Sequence, residues 1–273
     1  MVNATLTPRE GSPIVTASLS EEEIRRYARH IVLPELGGVG QLRLKQARVL
    51  VIGAGGLGSP LLLYLAAAGV GTLGVVDDDR VDLSNLQRQV LFTTETVGEA
   101  KAAAAAATLR RLNPLTEVVV HRLRLDRDNA AGLIAGYDLV ADGSDNLATR
   151  LAVHDACRAL GRTLVSASVQ GFDGQLSTYK AHLGVPHPCL RCLLGDGTDE
   201  SALPSCAQGG VLGAVAGVLG TLQAVEVVKE ITGLGRSLSG EMLLYDATGA
   251  GFDRIRLRRR AACAAEPCPF AAA

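Results

Sequence analysis

The chain has 273 residues, 48% of them hydrophobic but only 3% aromatic, with 31 glycines and a formal net charge of −1. That length suits one generous α/β domain with an appendage, its core filled by Ala, Val, Leu and Ile as in helices packed on a parallel sheet. The near-neutral charge excludes a global basic field for nucleic acid or an anionic membrane, and residues 1–19, polar with Pro8 and Pro13 and no apolar run, read as a disordered tail and not a secretory signal, so a cytoplasmic location is expected.

Ser20-Glu-Glu-Glu23 predicts a helix start, with Ser20 as N-cap and Glu23 completing a capping box, on a helix carrying Arg25, Arg26, Tyr27 and Arg29. Arg48 to Ile52 is an apolar run of buried-strand length. Gly53 to Gly58 interrupts it, and Ser59-Pro60 opens a helix from Leu61 to Ala68. A second strand, Thr72 to Val76, ends at Asp77, and Glu99 to Leu112, with six consecutive alanines, predicts a helix stopped by Asn113-Pro114. Strands are expected at Glu117 to His121, Leu139 to Ala141 and Thr163 to Ala167, and a helix at Leu151 to Leu160. This alternation specifies a Rossmann-like, doubly wound, mainly parallel sheet.

Beyond Gly171, short strands at Gly174 to Lys180, Glu241 to Tyr245 and Phe252 to Leu257 are expected to extend the sheet antiparallel. Leu183 to Gln208, rich in Pro, Gly, Asp and Cys, reads as a functional or mobile loop. Gly209 to Val228, nearly apolar over twenty residues, reads as a helix. Gln223, Glu226 and Lys229 make it a packed core or dimer-interface helix and argue against a membrane span.

Gly53-Ala-Gly55-Gly56-Leu57-Gly58 is a GxGxxG turn between a strand and a helix, where backbone N–H groups approach a phosphate at a helix N-terminus. Asp77 falls nineteen residues after Gly58, a spacing that fits equally the acid holding the ribose of a nicotinamide dinucleotide. The stretch from Asp77 to Gln89, with Lys101, tips the balance. Adenylation needs cations on ATP phosphates while the α-phosphorus is attacked, which a hydride donor does not. Arg88 and Lys101 are the right types, and Asp145, at the carboxyl end of a strand, is placed to hold Mg²⁺.

Six cysteines in a chain expected to be cytoplasmic favour metal or catalysis over disulfides, and Cys189-x-x-Cys192 is one half of a tetrathiolate zinc site. Cys157, in a helical run, reads as a small buried hydrophobe, and His121 and His154 as structural.

GAGGLG, Asp77-x-Asp79, SNLQRQ, the lysine of Gly98-Glu-Ala-Lys101, Ser144-Asp145-Asn146, Cys189-x-x-Cys192 and Ser205-Cys206 resemble the ThiF and MoeB family, which is related to ubiquitin-activating enzymes. The resemblance implies an adenylation domain over residues 20–273, with a nucleotide-binding core at 45–170 and a carrier-binding and zinc segment at 171–273. It implies that Gly53, Gly55, Gly56 and Gly58 cradle ATP, that Asp77 binds its ribose, with Asp79 also at the nucleotide, that Asn85, Arg88 and Lys101 hold phosphates, and that Asp145, beside Asn146, coordinates Mg²⁺. Arg29 would reach the triphosphate of the other subunit of a homodimer. The substrate would be the C-terminal glycine of a ubiquitin-like sulfur-carrier protein ending in Gly-Gly, activated as an acyl-adenylate for molybdopterin, thiamin or related biosynthesis. Cys206 resembles a cysteine that, in some members, links to the activated carrier. Zinc would be bound by Cys189, Cys192, Cys263 and Cys268. Here the chain departs from the family's second CxxC, since Ala271 stands where its last cysteine would fall. The chain ends soon after, so a separate sulfur donor, a cysteine desulfurase or rhodanese, is expected. An NAD-dependent oxidoreductase and a docking module for a ubiquitin-like protein are the readings from other classes.

Overall fold

The computed structural model describes residues 18–194, 210–261 and 263. Strands β1 (Arg48–Ile52), β2 (Thr72–Val76), β3 (Glu117–His121), β4 (Leu139–Asp142) and β5 (Thr163–Gln170) pair in parallel in the order β3-β2-β1-β4-β5. Strands β6 (Asp173–Tyr179), β7 (Glu241–Asp246) and β8 (Gly251–Arg256) continue the same sheet antiparallel, as expected. The first three strands have the bounds that their apolar runs predict.

The helices are α1 (Glu21–Arg26), α2 (Ala28–Ile31), α3 (Gly37–Gln46), α4 (Gly58–Ala67), α5 (Lys101–Leu112), α6 (Arg127–Ile134), α7 (Leu147–Ala159), α8 (Leu190–Leu194) and α9 (Gly213–Thr232). Because side chains alternate across a strand, Val49 and Val51 of β1 enter a core shared with α4, α5 and α9, while Leu50 and Ile52 enter a second core shared with α6 and α7. Leu61, Leu62 and Leu65 of α4 are fully buried, and at about 2 kcal/mol each they clamp this helix to the sheet. Helices α4 and α9 meet at backbone contact: a Cβ on Gly220 would stand 2.3 Å from the Leu57 carbonyl oxygen. No helix of the described residues is long and apolar enough to cross a membrane.

Several boundaries differ from expectation for identifiable reasons. The Ser20 capping box is present, but the helix it starts breaks at Tyr27. Helix α5 begins at Lys101 and not Glu99 because Val81 N–H donates to Glu99 O (2.8 Å) and Lys101 N–H to Asp79 O (2.9 Å), holding the preceding residues extended. Helix α7 begins earlier than predicted, because Asn146 caps it by accepting the Thr149 N–H at 2.9 Å. Helix α9 starts at Gly213, since Val211 is bridged to Gly171 and Gly210 has φ +68°. Helices α3 and α6 were not foreseen, and within the expected loop α8 forms at residues 190–194.

Candidate active site

The chain leaves β1 toward β2 and leaves β4 toward β5, so the carboxyl ends of these two adjacent strands open a crevice where the winding reverses. A cleft of about 500 Å³ fills it, a volume typical of small-ligand sites. Its floor is the glycine turn. Gly53 leaves β1 at φ +86°, and a Cβ on Gly58 would lie 1.9 Å from the Gly53 carbonyl oxygen, so the turn closes only with glycine at that position. Helix α4 then starts with no side chain capping it; Ser59 N–H is taken by Gly55 O at 2.8 Å and Pro60 has none, so what the terminus offers a ligand anion is chiefly its partial positive charge.

Asp77 buckles this turn to the next loop. Its Oδ2 accepts the Ala54 N–H at 2.8 Å and its Oδ1 the Asp79 N–H at 2.9 Å. Burial pushes its carboxyl above the usual range, against the opposing pull of these N–H groups and Lys101. Lys101, at the start of α5, has a buried ammonium that donates to Asp79 Oδ2 at 2.7 Å, while the Asp79 side chain is 67% exposed. On the facing loop, Arg88 donates from Nη2 to Asn85 Oδ1 at 2.8 Å.

The loop after β4 supplies the other wall and is held from three sides. Asp142, fully buried, accepts the Ser144 N–H at 2.9 Å and the Ser166 hydroxyl at 3.3 Å. Arg150 donates to the Ser144 carbonyl from Nε (3.1 Å) and Nη2 (2.6 Å), and to Ala167 O at 3.0 Å. Gln223 of α9 donates to Asp142 O (2.9 Å) and Val165 O (3.0 Å). Asp145 is left exposed at the lip, with Asn146 Nδ2 3.5 Å away.

Of the residues singled out in the sequence, Gly53, Gly55, Gly56, Asp77, Asp79, Asn85, Arg88, Lys101, Asp145 and Asn146 all line this one cleft. Gly58 does not line it but closes its floor. Arg29 is exposed on α2, away from the cleft, and Cys206 lies outside the described residues. Asp142 and Arg150 escaped notice, Gln89 was quoted within SNLQRQ without a role of its own, and Gln223 was read only as an argument against a membrane span. Arg150 had a local signal, one helical turn after Asn146, whereas Gln223 acts across sequence separations that no motif reports.

A second cluster lies at the far end of the chain. Cys189, Cys192 and Cys263 are buried with Sγ atoms 3.4 Å (189 to 192) and 3.3 Å (189 to 263) apart. These spacings are too long for a disulfide and near the ~3.8 Å edge of a tetrahedron with 2.3 Å Zn–S bonds. Arginines lace the corner together: Arg259 donates to His187 O (3.1 Å) and Cys263 O (2.7 Å), and Arg260 to Cys192 O (2.9 Å). His154 is structural. Its Nε2 accepts the Leu190 N–H at 3.1 Å, which leaves the proton on Nδ1 to face Asp155, and Asp155 also pairs with Arg191 of α8 at 2.6 Å. Cys268, the expected fourth ligand, lies outside the described residues. Cys157 is buried and its thiol is pushed up by burial.

The model of the ThiF family matches residues 27–265. Mus musculus adenylyltransferase and sulfurtransferase MOCS3 is 55% identical over 244 residues, 89% of this chain and 52% of that protein. Thermus thermophilus sulfur carrier protein adenylyltransferase is 48% identical over 246 residues, 89% of this chain and 91% of that protein. The chain thus spans about half the length of the MOCS3 relatives it matches. Among solved structures, E. coli MccB shares the fold with a TM-score of 0.76 at 20% identity, covering 91% of this chain and 74% of that one. On the match over residues 27–265 and these identities, the chain belongs to the ThiF family.

Proposed function

We propose that the chain is an ATP-dependent adenylyltransferase that activates the C-terminal glycine of a ubiquitin-like sulfur-carrier protein. The carrier carboxylate attacks the α-phosphorus of ATP, an acyl–phosphate bond forms, the bond to the β-phosphate breaks, and pyrophosphate leaves. No protein nucleophile is needed. The observation that carries this reading is the convergence of Arg88 and Lys101 on one cleft that Asp145 rims. Hydride transfer has no use for such a concentration of cations, whereas a displacement at phosphorus is governed by charge stabilisation on the phosphates.

Each residue then has a part. Asp77 takes ribose hydroxyls with the lone pairs its two N–H bonds leave over. Lys101 exchanges Asp79 for a phosphate oxygen, and Arg88, steadied by Asn85, neutralises charge on the departing pyrophosphate. Asp145, an exposed carboxylate whose nearest side-chain donor is 3.5 Å away, fits a hard divalent cation that takes oxygen ligands. Mg²⁺ held there would screen phosphate charge. The three thiols fit zinc, with Cys268 as the fourth ligand, in a structural role that ties the C-terminal segment to α8. Arg29 is assigned to the triphosphate of a second copy in a homodimer, and Cys206 to the later handling of the activated carrier.

The test is ATP–pyrophosphate exchange with and without an added carrier ending in Gly-Gly, followed by mass spectrometry for the gain of AMP on the carrier. Exchange that requires the carrier supports the reading. Bound nucleotide with no pyrophosphate released by the carrier defeats it, and tight NADH binding without exchange would replace it with a dehydrogenase.

A further inference from the structure

Arg150 of α7 lines the cleft and braces the loop before Asp145, and its hydrogen bonds leave part of the guanidinium over. Nε and Nη2 donate to the Ser144 carbonyl at 3.1 and 2.6 Å, and Nη2 also to Ala167 O at 3.0 Å, whereas Nη1 bonds to nothing among the described residues and is not buried. Each acceptor is a neutral carbonyl, so the group is fixed in place with its charge unspent. Lys101 is the contrast, since its ammonium already holds the Asp79 carboxylate. The sheet order tells where Arg150 stands. Asp142, the last residue of β4, is in register with Ser166, so the Ala167 carbonyl is level with the loop after β4 and the guanidinium spans the β4 and β5 ends of the cleft. Asp77, after β2, lies on the other side of β1. Val169 of β5 and Val211, bridged to Gly171 just after β5, line the cleft at the Arg150 end.

With the nucleoside at Asp77 and the phosphates at Arg88 and Lys101, one anionic group of the proposed reaction has no counter-charge: the attacking carboxylate. It has to approach the α-phosphorus against the repulsion of the phosphates and of Asp145, and a cation already locked in position offsets that repulsion without being reorganised. We infer that Arg150 recognises the carboxylate of the carrier's terminal glycine, Nη1 donating to one carboxylate oxygen at the β5 end of the cleft, where Val169 and Val211 give apolar walls to a tail without side chains. This rests on the adenylation reading above.

The test changes the charge on the tail as well as the residue. A recombinant ubiquitin-like carrier ending in Gly-Gly, and the same carrier with its terminal carboxylate converted to the neutral amide, are titrated by calorimetry into the full chain holding Mg²⁺ and α,β-methylene-ATP, which blocks the chemistry. Wild-type protein is expected to bind the acid about ten- to hundredfold more tightly than the amide, the worth of a hydrogen bond to a charged group. Arg150→Gln should bind the two alike, and Arg150→Lys, which keeps the charge, should retain part of the preference. Gln223→Met loosens the same loop without removing a charge and should keep the preference whole, which a bracing role for Arg150 alone would not predict. Equal binding of acid and amide by wild-type protein overturns the inference. So does a preference that survives Arg150→Gln, which would leave Arg150 to the loop or the phosphates, or one that falls as far in Gln223→Met. If wild-type protein shows carrier-dependent pyrophosphate exchange and these titrations fail, the inference alone falls; if it shows no such exchange, the adenylation reading falls with it.

Discussion

The nucleotide cleft and the thiol corner are two ways of building a site. The cleft is braced by hydrogen bonds within its own walls: Asp77 buckles the glycine turn, Asn85 steadies Arg88, and the loop before Asp145 is held by Asp142, Arg150 and Gln223. The corner brings three thiols to near contact, laced by arginines that donate to backbone carbonyls. Burial pushes the Cys189 and Cys263 thiols up, while Cys192, though also opposed by burial, is drawn below the usual thiol range by the N–H groups of Arg260 and its neighbours. The first region is braced ahead of any visitor that comes and goes; the second has a geometry that a resident ion would complete.

That contrast can be broken experimentally. The largest effect is expected at Arg88→Ala, which should lower pyrophosphate exchange by about a hundredfold or more with little change in thermal stability, since its loss removes a phosphate contact and no core packing. Equal losses of stability and rate would mean that the cleft is not preorganised. Cys189→Ser should do the opposite. Zinc by elemental analysis falls from about one per chain to near none, the melting temperature drops by about 5–10 °C, and ATP binding measured well below the transition survives. Nucleotide binding that vanishes with the metal would join the two regions into one. Gly58→Ala lies between these cases. Its methyl would meet the Gly53 carbonyl at 1.9 Å, so a stability loss of about 1–3 kcal/mol is expected in denaturant melts, together with weakened ATP affinity by calorimetry.

The smallest effect separates the regions by pH. Asp155, which anchors α8, is opposed by burial but held below the usual carboxylate range by His154 and Arg191 together. Its contribution is therefore present above the unfolded pKa, about 4, and is lost as pH falls through the folded value. Asp77 is raised by burial, so its contribution is full below the unfolded pKa and is lost as pH rises through the folded value. Acidification below about pH 4 should reduce hydrogen-exchange protection at the Leu190 amide while sparing the Ala54 amide. Protection lost at both in step would refute the separation.

The sequence foretold these regions unequally, and for physical reasons. Apolar runs of strand length at Arg48 to Ile52 and Thr72 to Val76 have no alternative to burial, and their bounds were legible. Helix α3, written GGVGQLRLKQ, hides its character behind glycines, and α6 went unread although Asp126 and Asn129 form a capping box that could have announced it. The cleft residues carried by motifs were legible because short local patterns name them, Gly53 and Asp77 just after β1 and β2, Asn85 and Arg88 within SNLQRQ, and Lys101 at the start of α5. Gln223 was not, since its partners Asp142 and Val165 lie 81 and 58 residues away and only the folded sheet brings them to α9. Cys263 was legible as a thiol near the C-terminus, whereas its contact with Cys189 across 74 residues was supplied by the antiparallel extension of the sheet.

The pairing of Lys101 with Asp79 has a consequence for turnover. A lysine that already holds an internal carboxylate does not capture polyphosphate outright; it trades one anion for another, and the affinity that results is the difference between two attractions. On the proposed function such a swap would moderate the grip on pyrophosphate after the chemistry is done, because Asp79, 2.7 Å from the ammonium here, would reclaim it as the product departs. The same acid that dilutes binding would thereby act as a built-in displacer that resets the enzyme for its next cycle.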